Sequence, residues 1–124
     1  MAKMKLGIGI WGTGNIAETH ALAINQIPSV KLISVYNHNP EKGIAFAKKF
    51  GVTAAKSIED FLNNPEIHLV CICTPSGNHL EPALACAKAR KHIAIEKPLE
   101  VTLPRCDQII SACDKAGIIL GGIL

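Results

Sequence analysis

Short apolar runs alternate with segments of helical character along the whole chain, which predicts an α/β protein. Five runs are typical of strands: the first contains Leu6, Ile8 and Ile10, and the others are Val30–Tyr36, Ile67–Thr74, His92–Ile95 and Ile118–Leu124. The intervening segments predict helices over Asn15–Ile27, from Asn39 to Gly51, over Ser57–Asn63, from the loop at Asn78 to about Arg90, and over Thr102–Lys115.

Short connections between alternating strands and helices require right-handed crossovers and a parallel sheet covered on both faces. The fold class we predict is therefore α/β, a Rossmann-type doubly wound parallel sheet in one domain spanning residues 1–124. Apolar residues recur near helical spacing in the first helix, at Ile16, Ala17, Ala21, Ile24 and Ile27, and the second helix carries Ile44, Ala45 and Ala47. The last helix is predicted to turn Ile109, Ile110, Ala112 and Cys113 to the core.

The first strand leads directly into Gly12-Thr13-Gly14-Asn15-Ile16-Ala17, which matches the dinucleotide-binding pattern G-x-G-x-x-A. Gly12 permits a tight turn, Gly14 lets the backbone approach a diphosphate, and the following helix directs N–H groups at it. Gly7 to Gly12 spells a second G-x-G-x-x-G. That register would leave only Met4–Leu6 for the strand and no helix after Gly12, so we favour the first.

Composition and charge exclude several classes of protein. With 48% apolar and 19% charged residues, a compact globule is expected, and a net charge of +3 from scattered Lys and Arg argues against nucleic-acid binding. No apolar run approaches a membrane span and no signal peptide is present, so we expect a cytoplasmic location and no membrane partner. Five cysteines without paired spacing predict neither a disulfide framework nor a metal site.

Polar or small residues follow four of the predicted strands, at the edge of the sheet where ligands bind in such folds. They are Gly12–Asn15, Asn37 with His38, Thr74 with Pro75 and His79, and Glu96-Lys97-Pro98. An Asp or Glu in the place of Asn37 would accept from the adenosine ribose and mark NAD. Asn37 does not repel a 2′-phosphate, and no Arg stands beside it, so the cofactor is NAD or NADP with a slight preference for NAD. Alternatively, Asn37 only ends the strand.

Lys97 and His79 each admit a structural and a functional interpretation. Lys97 follows a strand near the expected nicotinamide, where an ammonium could orient a substrate oxygen or share its proton, although such a Lys is usually a surface charge. His79 either touches the cofactor or begins a helix. His68 and His92 stand at strand starts, away from the expected site, and receive no role.

These motifs, in this order and spacing, resemble the N-terminal domain of the glucose–fructose oxidoreductase, inositol dehydrogenase and MocA (Gfo/Idh/MocA) family over essentially all 124 residues. The resemblance implies an NAD- or NADP-dependent oxidoreductase that transfers a hydride on a sugar, polyol or related hydroxyl compound. It implies that Gly12–Ile16 bind the cofactor, that Thr74 and Pro75 border the nicotinamide, and that Lys97 contacts substrate and assists proton movement.

Members of that family also carry a C-terminal α/β substrate domain, which we expect to be absent from this chain. The apolar final strand suggests that more protein normally follows. We therefore expect no turnover from the chain alone, and we hypothesise that exposed apolar surface makes it a homo-oligomer. The alternative function is a stand-alone dinucleotide-binding or sensor module, and a methyltransferase-like domain is disfavoured by Glu96-Lys97-Pro98.

Overall fold

The computed structural model describes residues 5–75, 78–96 and 103–123. The described residues form six strands and five helices. The strands are β1 (Leu6–Trp11), β2 (Val30–Tyr36), β3 (Thr53–Ala54), β4 (Leu69–Ile72), β5 (His92–Glu96) and β6 (Leu120–Ile123). The helices are α1 (Asn15–Asn25), α2 (Pro40–Phe50), α3 (Ile58–Leu62), α4 (Leu80–Lys88) and α5 (Leu103–Ala116).

The strands form one sheet in the order β3-β2-β1-β4-β5-β6, and every neighbouring pair is parallel. Buried side chains form two apolar clusters, one built around Phe61, Ile72 and Ile109 and the other around Ile10, Ala17 and Phe46. Because successive strand residues point to opposite faces, each cluster covers one side of the sheet. The predicted Rossmann-type doubly wound sheet is confirmed.

The sequence pattern did not predict strand β3, and β4 is shorter than the predicted Ile67–Thr74. β3 has only two residues, which pair with Ser34 and Val35 at the edge of the sheet. Two residues carry no alternation that a pattern search detects. The strand exists because Ala55 N donates to Val35 O at 2.8 Å and Ser34 Oγ donates to Thr53 O at 3.0 Å.

Four isoleucines in the predicted helices are exposed, and one of them, Ile110, was predicted to face the core. Ile16, Ile27, Ile44 and Ile110 keep 48%, 47%, 59% and 47% of their surface accessible. Ala45 is exposed as well. A helix lying on a sheet buries a narrow stripe, and Ile16, Ile44 and Ile110 lie roughly 80–110° around the helix axis from its centre. Ile27 lies beyond the end of α1 at Asn25. The core-facing prediction is confirmed for Ile109 and Cys113, and Ala17, Ala21, Ile24 and Ala47 are also buried.

Gly7 and Gly9, which create the competing glycine pattern, serve close packing within the sheet. A Cβ on Gly7 would lie 1.7 Å from the carbonyl oxygen of Glu66, and one on Gly9 would lie 2.7 Å from the ring of Phe61. Any side chain would displace these neighbours. Since β1 continues through Trp11 and α1 begins at Asn15, the Gly12 register is confirmed.

Three helix ends lie at the residues that the sequence predicted as helix bounds, and each of these residues is a cap. Asn39 Oδ1 accepts from Glu41 N at 3.0 Å and from Lys42 N at 3.4 Å, and Gly51 ends α2 with a left-handed φ of 68°. Ser57 Oγ accepts from Asp60 N at 3.1 Å at the start of α3. First-turn N–H groups of α2 and α3 are thus used within the protein.

The histidines at the strand starts have structural roles. His68 Nδ1 accepts from Gly7 N at 2.8 Å, and His92 Nδ1 accepts from Ile119 N at 3.0 Å. Each ring accepts a hydrogen bond from a backbone N–H at the amino end of the sheet, opposite to the edge where ligands bind.

Within the described ranges, no helix is long and apolar enough to cross a membrane, and no three His, Cys, Asp or Glu side chains are grouped to hold a metal ion.

Candidate functional site

A cleft of about 1170 Å³ lies along the carboxyl ends of β1, β2 and β4. The chain leaves β1 towards β2 and β3 on one side, then returns to β4 on the other side of β1. Such a reversal opens a crevice between the two flanking loops. The predicted site residues that line this cleft are Gly12, Thr13, Gly14, Asn15, Ile16, Asn37, His38, Thr74, Pro75 and His79.

Gly12 has to be glycine for the fold itself. Its φ is +110°, and a Cβ there would lie 2.8 Å from the carbonyl oxygen of Cys73 on the adjacent segment. Gly12 N donates to Tyr36 O at 2.8 Å, which ties the turn to the end of β2. The turn is therefore held between two neighbouring strands before any ligand binds.

Gly14 is different, because nothing in the protein requires its lack of a side chain. Its φ of −81° suits any residue, and a Cβ built on it would meet no atom within 4 Å. That Cβ would occupy open space in the cleft. The absence of a side chain at Gly14 leaves room for a ligand to reach the backbone.

The N-terminus of α1 opens on the same space. Its N-cap is Gly14, and no side chain accepts from its first-turn N–H groups, in contrast to α2 and α3. Unpaired N–H groups and the positive end of the helix dipole suit an anion such as a diphosphate. The open position at Gly14 and this uncapped helix together fit the diphosphate of a dinucleotide.

Asn37 connects the end of β2 to the glycine turn. Its Nδ2 donates to Thr13 Oγ1 at 2.6 Å, and its Oδ1 accepts from Asn39 N at 2.8 Å. Asn37 therefore does more than end the strand, since it joins two loops that line the cleft.

The loop after β4 forms the other wall. Thr74 Oγ1 donates to Asn78 O at 2.7 Å, and the ring Nε2 of His79 lies 2.9 Å from Thr74 O. His79 is only 1% exposed and is the N-cap of α4. His79 therefore begins a helix, as one of its two interpretations predicts, and its ring contacts the loop that lines the cleft. Contact with the cofactor stays a prediction.

Several lining residues escaped the sequence analysis. Lys42 and Lys49 of α2 line the cleft, and Lys49 Nζ lies 2.6 Å from Glu18 Oε1 of α1. Both partners of this ion pair are substantially exposed, so it adds little stability. Residues one turn into a helix that follows a strand face the carboxyl edge of the sheet, which is the signal that would have identified Lys42.

Aromatic side chains line the base of the cleft. Trp11 and Tyr36, at the ends of β1 and β2, pack edge to face with ring centroids 5.5 Å apart, and both border the cleft. Neither residue was among the predicted site residues. Trp11 is the single tryptophan of the chain, so its fluorescence reports on this site.

Glu96 ends β5, which pairs with β4, so the backbone of Glu96 reaches the same edge of the sheet. Lys97 and Pro98 themselves lie outside the described residues. The role predicted for Lys97 therefore stays a prediction.

Comparison with known proteins identifies relatives of the whole chain. The sequence model of the Gfo/Idh/MocA oxidoreductase family, NAD-binding Rossmann fold, matches residues 6–122. Myo-inositol 2-dehydrogenase from Thermotoga maritima is 32% identical over 114 residues, which are 91% of this chain and 34% of that protein. The chain thus spans about a third of the length of such relatives.

Solved structures agree with this relationship. The WlbA dehydrogenase from Bordetella pertussis, in complex with NADH and UDP-GlcNAcA, superposes with a TM-score of 0.91 at 30% identity over 96% of this chain and 37% of that one. Biliverdin reductase from Synechocystis, in complex with biliverdin and NADP+, gives a TM-score of 0.86 at 30% identity over 94% and 37%. The two proteins carry different nicotinamide dinucleotides.

Proposed function

Since this chain belongs to the Gfo/Idh/MocA oxidoreductase family, we propose that it is the cofactor-binding domain of an NAD(P)-dependent dehydrogenase of sugars, polyols or related hydroxyl compounds. The observation that carries the proposal is the open position at Gly14 beside the uncapped N-terminus of α1. No requirement of the fold explains that glycine, whereas a diphosphate lying against the backbone does.

Different residues of the cleft contact different parts of the cofactor. Gly12, Gly14 and the first turn of α1 hold the diphosphate, while the loop at Asn37 and His38 lies beside the adenosine ribose. Thr74, Pro75 and His79 border the part that continues towards β5.

The preference between NAD and NADP rests on charge at the end of β2. Neither Asn37 nor His38 carries a carboxylate that would repel a 2′-phosphate there, and the basic side chains that line this side of the cleft are those of His38, Lys42 and Lys49. Lys49 is already paired with Glu18, and no Arg offers a bidentate grip. We therefore propose that NAD is slightly preferred and that NADP is tolerated.

The bound nicotinamide supplies hydride transfer. Lys97 follows Glu96 at the neighbouring strand end, where its ammonium would orient a substrate oxygen and help move a proton. The substrate class is proposed from relatives, one of which is an inositol dehydrogenase and another a complex with a sugar nucleotide.

A second domain completes the proposed enzyme. The chain covers 34% of the inositol dehydrogenase, and we propose that the rest of such a protein supplies the substrate pocket and further acid–base groups. The chain alone then binds cofactor without turnover. The five cysteines, all of which the structure describes, form no disulfide, which suits a proposed cytoplasmic location. Homo-oligomerisation stays a prediction, supported by the 79% and 69% exposure of Leu103 and Ile119.

The test is a titration of the purified chain with NADH and with NADPH, followed through energy transfer from Trp11. We expect saturable quenching by both, because Trp11 borders the cleft. Gly14→Val places a branched side chain in the diphosphate space and should abolish the quenching. The matched control is Ala23→Val, which places the same side chain at an exposed position of α1 that does not line the cleft. Equal binding by Gly14→Val and Ala23→Val would refute the proposal.

A further inference from the structure

The orientation of the Asn37 amide is determined by its backbone neighbour. Asn39 N can only donate, so the Asn37 atom 2.8 Å from it is the carbonyl oxygen Oδ1. The remaining polar atom, 2.6 Å from Thr13 Oγ1, is then the amino nitrogen Nδ2. An amide nitrogen is a donor and never an acceptor, so Asn37 donates this hydrogen bond and the Thr13 hydroxyl accepts it.

This bond leaves the hydroxyl hydrogen of Thr13 to be donated elsewhere. A threonine hydroxyl has one hydrogen and two lone pairs, and the hydrogen turns away from the N–H that approaches the oxygen. In the part of the chain that the structure describes, no acceptor lies within hydrogen-bond distance of that hydrogen. Thr13 is partly exposed and lines the cleft between Gly12 and Gly14.

We propose that the Thr13 hydroxyl donates a hydrogen bond to a diphosphate oxygen of the cofactor, and that Asn37 is the positioning residue that sets this direction. The inference rests on the proposed function. In this inference Asn37 acts on the glycine turn. The usual interpretation of this position would instead make Asn37 a ligand of the adenosine ribose. Cofactor binding is then strengthened at a site common to NAD and NADP.

An aspartate at position 37 distinguishes the two roles because it reverses one hydrogen bond. Asn37→Asp is nearly isosteric and still accepts from Asn39 N, but its second oxygen accepts from the Thr13 hydroxyl. The Thr13 hydrogen is then held inside the protein, and its lone pairs are left for the anion. A ribose role predicts the opposite for one cofactor, since a carboxylate accepts from the 2′-hydroxyl and strengthens NADH binding.

The experiment measures dissociation constants of NADH and NADPH by calorimetry for the full chain and its variants. A hydrogen bond to a charged group is worth roughly a tenfold to hundredfold change in affinity, so Thr13→Val should weaken both cofactors by about tenfold or more. Thr13→Ser keeps the hydroxyl and should stay within about threefold of the wild type. Asn37→Asp should weaken both cofactors by at least about tenfold.

The added negative charge of Asn37→Asp is separated from the hydroxyl effect by the double variant. If the charge alone acts, Asn37→Asp weakens NADH equally in the wild-type and Thr13→Val backgrounds, which would overturn the inference. We expect its effect to be at least about threefold smaller in the Thr13→Val background. Tighter or unchanged NADH binding by Asn37→Asp would also overturn it.

Loss of stability is monitored by the thermal unfolding midpoint of each variant. If Asn37→Asp does not fold, the comparison of Thr13→Val with Thr13→Ser decides, and equal affinities of these two variants reject the inference. A wild-type chain that binds neither dinucleotide would remove the proposed function and this inference together. If the wild type binds a dinucleotide but the affinities of the variants do not depend on the Thr13 hydroxyl, only the inference is rejected.

Discussion

Gly12 and Gly14 stand two residues apart in one motif, yet the structure predicts opposite consequences for replacing each by alanine. At Gly12 the φ of +110° and the 2.8 Å approach of a Cβ to Cys73 O both oppose a side chain. At Gly14 the φ of −81° is ordinary and the Cβ meets no protein atom within 4 Å. Gly12→Ala should therefore damage the fold, and Gly14→Ala should damage only cofactor binding.

The expected loss of unfolding free energy in Gly12→Ala combines two costs. A residue held at an unfavourable positive φ costs about 1–3 kcal/mol, and relieving the clash with the neighbouring backbone adds a similar amount. A total of about 3 kcal/mol is a large part of the roughly 6–18 kcal/mol that a chain of this size has in all. The unfolding midpoint should fall by about 10 °C or more.

The expected change in unfolding free energy of Gly14→Ala is small in the protein without cofactor. Alanine is a poorer N-cap than glycine, which costs a few tenths of a kcal/mol or somewhat more, and the less flexible unfolded chain returns about 0.4–1 kcal/mol. The two nearly cancel, so the midpoint should change by less than about 2 °C. The methyl group separates the diphosphate from the backbone, and losing one charged hydrogen bond weakens NADH by roughly tenfold to hundredfold.

The assay is thermal unfolding by circular dichroism with and without NADH at 100 times the wild-type dissociation constant. Ligand at that level stabilises the wild type by about 2.7 kcal/mol, whereas a tenfold weaker variant gains about 1.4 kcal/mol. Gly14→Ala should thus match the wild type without NADH and show half its stabilisation or less with NADH. The reasoning is refuted if Gly14→Ala responds to NADH as the wild type does, or if Gly12→Ala is as stable as the wild type.

Two further predictions concern stability. Burial, with a smaller contribution from Cys113, raises the pKa of the Cys86 thiol from 9.0 to about 12. The folded state then keeps a proton that the unfolded state loses above pH 9, so this thiol's contribution to unfolding free energy falls by roughly 1.4 kcal/mol from pH 8 to pH 10. Urea titrations should show that decline in the wild type and less of it in Cys86→Ala; identical slopes would contradict it. His68→Leu leaves Gly7 N without its acceptor and should cost about 1–3 kcal/mol in the same titration while NADH affinity stays unchanged, because His68 lies at the opposite end of β1. A weakened NADH affinity in this variant would show that the two ends are coupled.

Local signals along the chain were sufficient for most of the architecture. Apolar runs located β1, β2, β4, β5 and β6, since a strand that is buried in a parallel sheet has to be apolar along its length. Asn39 and Gly51 located the ends of α2 because capping acts within a few residues of the cap. The motif from Gly12 to Ala17 likewise placed the turn between β1 and α1.

Tertiary contacts decided what no local pattern contains. The sequence showed two overlapping glycine patterns, and only the folded chain shows why both exist: Gly7 packs against the carbonyl of Glu66, and Gly14 faces open space. The isoleucines at 16 and 44 carry the same hydrophobicity as buried ones, but whether a sheet covers them depends on how each helix is rotated.

The partner of Asn37 was equally hidden in the sequence. Asn37 and Thr13 are 24 residues apart and meet because parallel pairing of β1 and β2 brings Trp11 opposite Tyr36, so that the two following turns lie side by side. The sequence by itself determined every described element except β3 and where the cleft's glycine turn lies, since short-range preferences suffice for both. Only the tertiary structure decided which side chains meet across the sheet, because register and helix rotation are properties of the assembled core.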